Sequence, residues 1–296
     1  MKKAIKWICI SLCSAVIVTL LYFALAFFGN PISWTIARIN CSRYLEENFG
    51  DSHFQINKVG YNFKTGGYYA FIDSPTSPDS YFTIYFDGIG RYQYDSYENV
   101  VNKQTTLSRI ESQYRELIDI KFNETNTPFD ISIVFGELKV AGVYEIYTFT
   151  DKNGETVEYS LDKNYGFDRE ELVLDKEYDI HRIGKESGRI CLYIHDPTVS
   201  VDRAAELLLE LKDYMDDKDI PFHAFDFHLC EPRNEEGQLT GDQITLFSFL
   251  YSDIYEEGLV DRVQQHWDIA KKHFAIQDEV KKEMENIAST QEIIIP

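Results

Sequence analysis

The chain has 296 residues, with 29 Lys and Arg against 49 Asp and Glu, a formal net charge of −20, and five cysteines. A surface this acidic repels nucleic acid and anionic lipid headgroups, and excludes a nucleic-acid-binding role. Five cysteines spread over this length make no disulfide framework, so ordinary apolar cores must supply the stability.

Lys2, Lys3 and Lys6 open the chain, and residues 7–28 then contain no Asp, Glu, Lys, Arg, His, Gln or Asn. As a helix this run spans roughly 33 Å, enough to cross the hydrocarbon core of a bilayer, which predicts a membrane anchor over residues 1–29. Three lysines precede the run and only Arg38 and Arg43 follow it closely. That bias predicts a single-pass protein of the cell membrane with a cytoplasmic N-terminus and the bulk of the chain outside. The rival reading is a signal peptide cleaved after Ala26, since Ala24-Leu25-Ala26 fits a small-x-small site. The length of the apolar run and the bulky Phe27-Phe28 after the site favour a retained anchor. Without its first thirty residues the chain loses three lysines and no acid, leaving 26 basic residues against 49 acidic ones, a net of about −23. Cys41, Cys191 and Cys230 remain there, and leave open one bridge between Cys191 and Cys230.

Gly29-Asn30-Pro31 ends the span, and Ser33 is expected to cap a second helix. Trp34, Ala37, Cys41, Tyr44 and Leu45 then recur at the spacing of one buried helix face, up to Gly50. From His53 the period changes to two. Strands are expected around Phe54 and Ile56 to Tyr61, over 68–72, over 81–86 after a turn-rich stretch, and over 91–94 after the hairpin turn Asp87-Gly88. Asp95 and Glu98 read as a capping box for a helix striped by Leu107, Ile110, Tyr114 and Leu117. Helix, four-stranded meander and helix form a first domain over 30–124. The polar, proline-ended stretch 123–128 marks the boundary to a second domain over 125–296.

In that second part, strands are expected over 131–135 and 143–150, with Asp151-Lys152-Asn153-Gly154 turning into Val157-Glu158-Tyr159. Residues 161–179 are acidic and poorly patterned. Further strands are expected over 189–195, 222–230 and 244–251. Ser200 is expected to cap a helix striped by Val201, Ala204, Leu208, Leu211 and Met215, and a long final helix carries Val260, Val263, Trp267, Ala270 and Phe274. The expected fold class is therefore α+β: an N-terminal transmembrane helix followed by two α+β domains, each a mainly antiparallel sheet packed with helices.

Gly29-Asn30-Pro31 with Trp34, Tyr61-Asn62-Phe63-Lys64, Ser74-Pro75 with Asp79, and Tyr94-Asp95 with Tyr97 resemble the N-terminal region of the YfjL-like proteins of Gram-positive bacteria. The resemblance covers roughly residues 29–118. It implies a bacterial envelope protein with one N-terminal membrane segment, an N-terminal and a C-terminal domain, and no established function. It brings no active-site residues with it.

The residues themselves encode little chemistry. Ser160-Leu161-Asp162-Lys163 and Lys64-Thr65-Gly66 match the S-x-x-K and K-T-G of penicillin-recognising enzymes, but they stand in reversed order, and the S-x-N those enzymes place between them is missing. Asp151-Lys152-Asn153-Gly154 lacks the later oxygen ligands of a calcium loop. Alternation on a strand puts Asp226, His228 and Cys230 on one face, with Cys191 or His195 on a neighbour. This is the least unsuitable location for a metal or for an envelope hydrolase, and reads more simply as one polar strand face. No catalytic residue, cofactor or metal is assigned.

The positive signal is aromatic: eight tyrosines lie between Tyr61 and Tyr97. Helices cover one face of a meander only, so its other face needs a cover from the second domain or from a partner. Tyr68, Tyr81 and Tyr85 are the expected interface residues. The function expected is a non-enzymatic binding, sensing or accessory module of the envelope, with a protein or envelope polymer as its partner besides the membrane contacted by residues 7–28.

Overall fold

The computed structural model describes residues 2–124, 127–141, 146–150, 156–160, 165–238 and 241–292. The expected turn at 151–154 and the Leu161-Asp162-Lys163 part of the S-x-x-K match lie outside the described residues. The chain forms two compact units, Met1–Ser108 with Leu172–Lys176, and Arg109–Glu171 with Glu177–Pro296. Both mix helices with an antiparallel-dominated sheet, the α+β class expected from the periodicities.

The first unit begins with α1 (Lys2–Phe28). Among the described residues, one helix is long and apolar enough to cross a membrane, and it is this N-terminal one. Gly29 and Asn30 separate it from α2 (Pro31–Phe49). The cap of α2 is Asn30, whose side chain accepts from Ile32 N at 2.9 Å, with Pro31 at the first helical position. Ser33, expected there, lies inside the helix and is buried. Pro31 fixes the start, because its ring presets φ and its missing N–H is one the first turn leaves free.

A meander follows, with β1 (Gln55–Asn62), β2 (Gly67–Ser74), β3 (Ser77–Phe86) and β4 (Tyr92–Asp95) paired antiparallel in that order. The buried face of α2, Ala37, Cys41 and Leu45, packs on Tyr68, Ala70, Ile72, Phe82, Ile84 and Phe86. Phe49, Phe54, Phe82 and Tyr97 close the end of this core, each pair of rings within 6.0 Å. Trp34 Nε1 donates to Val59 O at 3.1 Å and ties α2 to the edge strand. Asp95 makes no capping box. Its carboxylate accepts from the Tyr44 and Tyr92 hydroxyls and from Tyr97 N, which leaves nothing for the short α3 (Glu98–Val101).

A strap from far along the chain completes this unit. Leu172 is buried and Leu174 packs on the core, although the sequence around them carries no periodicity. Two aspartates hold the strap reciprocally: Asp175 N donates to the fully buried Asp79 carboxylate at 2.7 Å, and Asp79 N donates to Asp175 Oδ1 at 3.1 Å. Ser77 Oγ donates to the same Oδ1 at 2.8 Å. Asp79→Ala is expected to release the strap and raise tryptic cleavage at Lys176 by about tenfold, since a lost hydrogen bond of this kind is worth on the order of 1–3 kcal/mol. Unchanged cleavage would mean that Leu172 and Leu174 hold the strap by themselves.

The helix α4 (Gln104–Glu124) starts in the first unit and continues in the second. The units part after Ser108, and Leu107 before that point and Ile110, Tyr114, Ile118 and Phe122 after it are buried. The second unit has a four-stranded sheet of order β10-β9-β8-β5, built from β5 (Ile131–Leu138), β8 (Gly188–His195), β9 (Ala224–Cys230) and β10 (Gln243–Leu250). A separate hairpin joins β6 (Ile146–Thr150) and β7 (Thr156–Ser160). Its other helices are α5 (Ile180–Ser187), α6 (Val201–Asp217) and α7 (Leu259–Glu292). Within this four-stranded sheet β8 and β9 pair in parallel, and α6 supplies the crossover such a pair requires. Ser200 caps α6 as expected, accepting from Arg203 N at 3.1 Å.

Candidate functional site

The sheet of the first unit has two faces of different character. Antiparallel register sets Tyr68 opposite Phe86, Ala70 opposite Ile84 and Ile72 opposite Phe82, all buried against α2. The alternate positions Tyr69, Phe71, Tyr81, Thr83 and Tyr85 are half-buried on the other face. Tyr81 and Tyr85 therefore stand on the outward row where they were expected. Tyr68 does not: it points into the core, 2% exposed, and its hydroxyl donates to Asn30 O at 2.8 Å and accepts from Asn30 N at 2.6 Å.

The residue opposite Tyr85 is Tyr69, and beyond Tyr85 stands Tyr94. The register shift between Asp73 and Ser74 sets this pairing, so counting outward from the Ser74–Ser77 turn does not reveal it from the sequence. Tyr85 and Tyr94 stack with ring centroids 4.6 Å apart, and Tyr94 is 56% exposed. The ring of Tyr69 lies over Gly60 on β1, where any Cβ would collide with it. Asn62, Thr65, Asp87 and Gln93 add polar groups, and together with the three tyrosines they bound a groove of about 470 Å³. Such a groove offers flat rings for stacking and hydroxyl and amide groups for hydrogen bonding, without a nucleophile and base in contact.

In the second unit, Asp226, His228 and Cys230 do share a face of β9, next to Cys191, Tyr193 and His195 of β8. Asp226 and His228 are already engaged. Asp226 accepts from Ser248 N at 2.7 Å and pairs with Arg189 at 3.4 Å, while Arg189 also reaches Glu137 at 2.7 Å. The Asp226 contact steadies Ser248, whose φ of 46° lies in a region non-glycine residues seldom occupy. His228 stacks on Tyr193 at 4.0 Å and hydrogen-bonds through Nδ1 with Thr245 Oγ1 at 3.0 Å. Burial depresses its pKa to about 4. His195 Nδ1 donates to Glu231 O at 2.9 Å.

Burial pushes the Cys191 thiol up to about 12 and raises that of Cys230, so both are held as thiols, the poorly nucleophilic form. The bridge left open between them does not form. Both are free, and Cys191 is in register with Asp226 whereas Cys230 is in register with His195. Four residues along a strand separate them by roughly 13 Å, twice the reach of a disulfide. Among the described residues no group of three or more His, Cys, Asp or Glu side chains is arranged to hold a metal ion.

No match to the chain was found among curated proteins or among solved structures. Family models do match it. The YfjL-like N-terminal domain covers residues 3–96, which include α1, α2 and the whole meander, and the YfjL-like C-terminal domain covers residues 113–264, which include the mixed sheet with α5 and α6. With the second of these alone spanning half the chain, and the two following one another in the order expected, the chain belongs to the YfjL-like family.

Proposed function

We propose that this protein is a single-pass component of the bacterial envelope, held by α1 with its N-terminus in the cytoplasm and both domains outside, and that it acts by binding rather than by catalysis. The observation that supports this reading is the contrast between the two sheets. The outward face of the meander keeps Tyr69, Tyr85 and Tyr94 around a groove, while Asp226 and His228 of β9 are engaged within their own unit. The groove fits a protein segment or an envelope polymer that can lie flat on aromatic rings.

A photo-crosslinking amino acid in place of Tyr94, with the protein in its own membrane, is expected to give a discrete adduct. Replacing Tyr69 and Tyr85 with Ala should abolish that adduct while leaving the cooperative unfolding transition in place. Absence of any adduct, or an adduct indifferent to both tyrosines, would remove the groove from the function.

Orientation rests on Lys2, Lys3 and Lys6 before the span. Protease added to intact protoplasts is expected to digest everything after about Asn30 without prior lysis. Protection until lysis would reverse the topology.

A further inference from the structure

We propose that the end of the meander carrying the 62–67 and 87–91 turns rests in the headgroup layer of a phospholipid bilayer, as a second membrane contact beside α1. This rests on the reading of α1 as a membrane span.

The junction leaves no slack between span and domain. α1 ends at Phe28, α2 begins at Pro31, and Gly29 between them has a φ of 76°. A Cβ on Gly29 would fall 2.7 Å from the Tyr61 ring and 2.8 Å from the Tyr68 hydroxyl, so only glycine admits this approach. The Tyr68 hydroxyl then grips both the N–H and the carbonyl of Asn30. The end of the span is thereby fastened to the end of β1 and the start of β2.

Both turns lie at that same end. Phe27 of α1 and Phe63 of the first turn have ring centroids 5.9 Å apart. The two turns adjoin, since a Cβ on Gly88 would sit 2.9 Å from Gly66 O. Asn40 Nδ2 of α2 donates to Gly90 O at 2.7 Å and fixes the second turn. At this end Phe28 is 83% exposed, Ile32 68%, Phe63 56% and Ile89 50%.

Apolar side chains this open are costly in water and suited to the boundary between acyl chains and headgroups. Charge agrees. In a soluble part with a net of about −23, the turns present Lys64 and Arg91, both exposed. The carboxylate Oδ1 of Asp87 is occupied within its own turn, accepting from Ile89 N and Arg91 N. Long basic side chains beside exposed apolar ones can reach lipid phosphates while the apolar groups sink below them.

The test uses the full chain in vesicles of phosphatidylcholine and phosphatidylglycerol, with a fluorescent amino acid replacing Ile17, Phe63, Ile89 or Thr76 one at a time. Position 17 lies mid-span, and position 76 lies in the turn at the far end of the sheet. Lipids carrying a nitroxide on the headgroup are expected to quench positions 63 and 89 about threefold more than position 76. Lipids with the nitroxide deep in the acyl chain should quench position 17. Lys64→Glu with Arg91→Glu should lower quenching at 63 and 89 and leave position 17 unchanged. If 17 is quenched while 63 and 89 match 76, the second contact is refuted and the span stands. An unquenched position 17 would overturn the span and this contact together.

Discussion

Replacing Tyr114 with Ala is expected to destabilise the second unit by about 3–5 kcal/mol, the range for deleting a fully buried aromatic ring. Tyr114 is completely buried in α4, and its hydroxyl donates to Pro221 O at 2.9 Å. Its ring occupies space that three glycines keep open. A Cβ on Gly136 of β5 would come within 2.8 Å of the ring, and one on Gly184 of α5 within 2.7 Å, while Gly188 at the start of β8 lies beside the hydroxyl. Backbone lined with glycine has no side chains to swing into the vacated volume, so the cavity persists and the cost falls at the upper end. Tyr114→Phe keeps the ring but orphans the Pro221 carbonyl, and should cost about 1–2 kcal/mol. Gly184→Ala should itself cost about 1–3 kcal/mol through overpacking. In a Tyr114→Ala background the same change should cost less, because the closest contact, the ring, is gone and only Pro221 at 3.0 Å remains. Urea unfolding of the four variants measures this. Strict additivity would show that ring and glycine are not complementary.

Much of this architecture is legible in the sequence. The stripe Ala37, Cys41, Leu45 and the alternation of β3 are local signals, and each is buried where its period puts it. What escaped was non-local. The choice between Tyr68 and Tyr69 as the outward residue depends on register across a hairpin, and one residue of slip exchanges the faces. The strap around Leu174 and Asp175 belongs to the first unit through contacts almost a hundred residues apart, and no periodicity announces that.

The residues carrying the family resemblance proved informative in another way. Gly29 and Asn30 form the junction under Tyr61 and Tyr68, Asp79 holds the strap, and Asp95 ties Tyr44, Tyr92 and Tyr97 together. They specify architecture, which is why they named a family and no reaction. The polar face of β9 also read correctly as a face. Its engagement with Arg189, Thr245 and Ser248 could not be read, because those partners come from other strands.

The second unit should lose stability as pH falls from about 6.5 to about 4, and His228 should account for a large part of that loss. Its ring is 9% exposed, stacked on Tyr193 with Phe247 edge-on at 6.3 Å. Thr245 satisfies one nitrogen. Burial lowers its pKa from 6.5 to about 4. A depressed histidine binds its proton more tightly in the unfolded chain, so its contribution is full above 6.5, shrinks as pH falls, and is gone below about 4. The whole effect is on the order of 3 kcal/mol, of which about 2 are lost by pH 5.

His266 and His273 of α7 are also lowered by burial and act in the same direction. His228→Phe keeps the stacking plane and removes the proton site, at the expense of the Thr245 hydroxyl, which Thr245→Val relieves. The double variant should be less stable than the parent at pH 7 by no more than about 1–2 kcal/mol. Between pH 6.5 and 4, its stability should fall with a slope smaller by about one proton. Urea midpoints across that range give the slopes directly. Parallel curves for parent and variant would mean that His228 is not the residue whose protonation the fold resists.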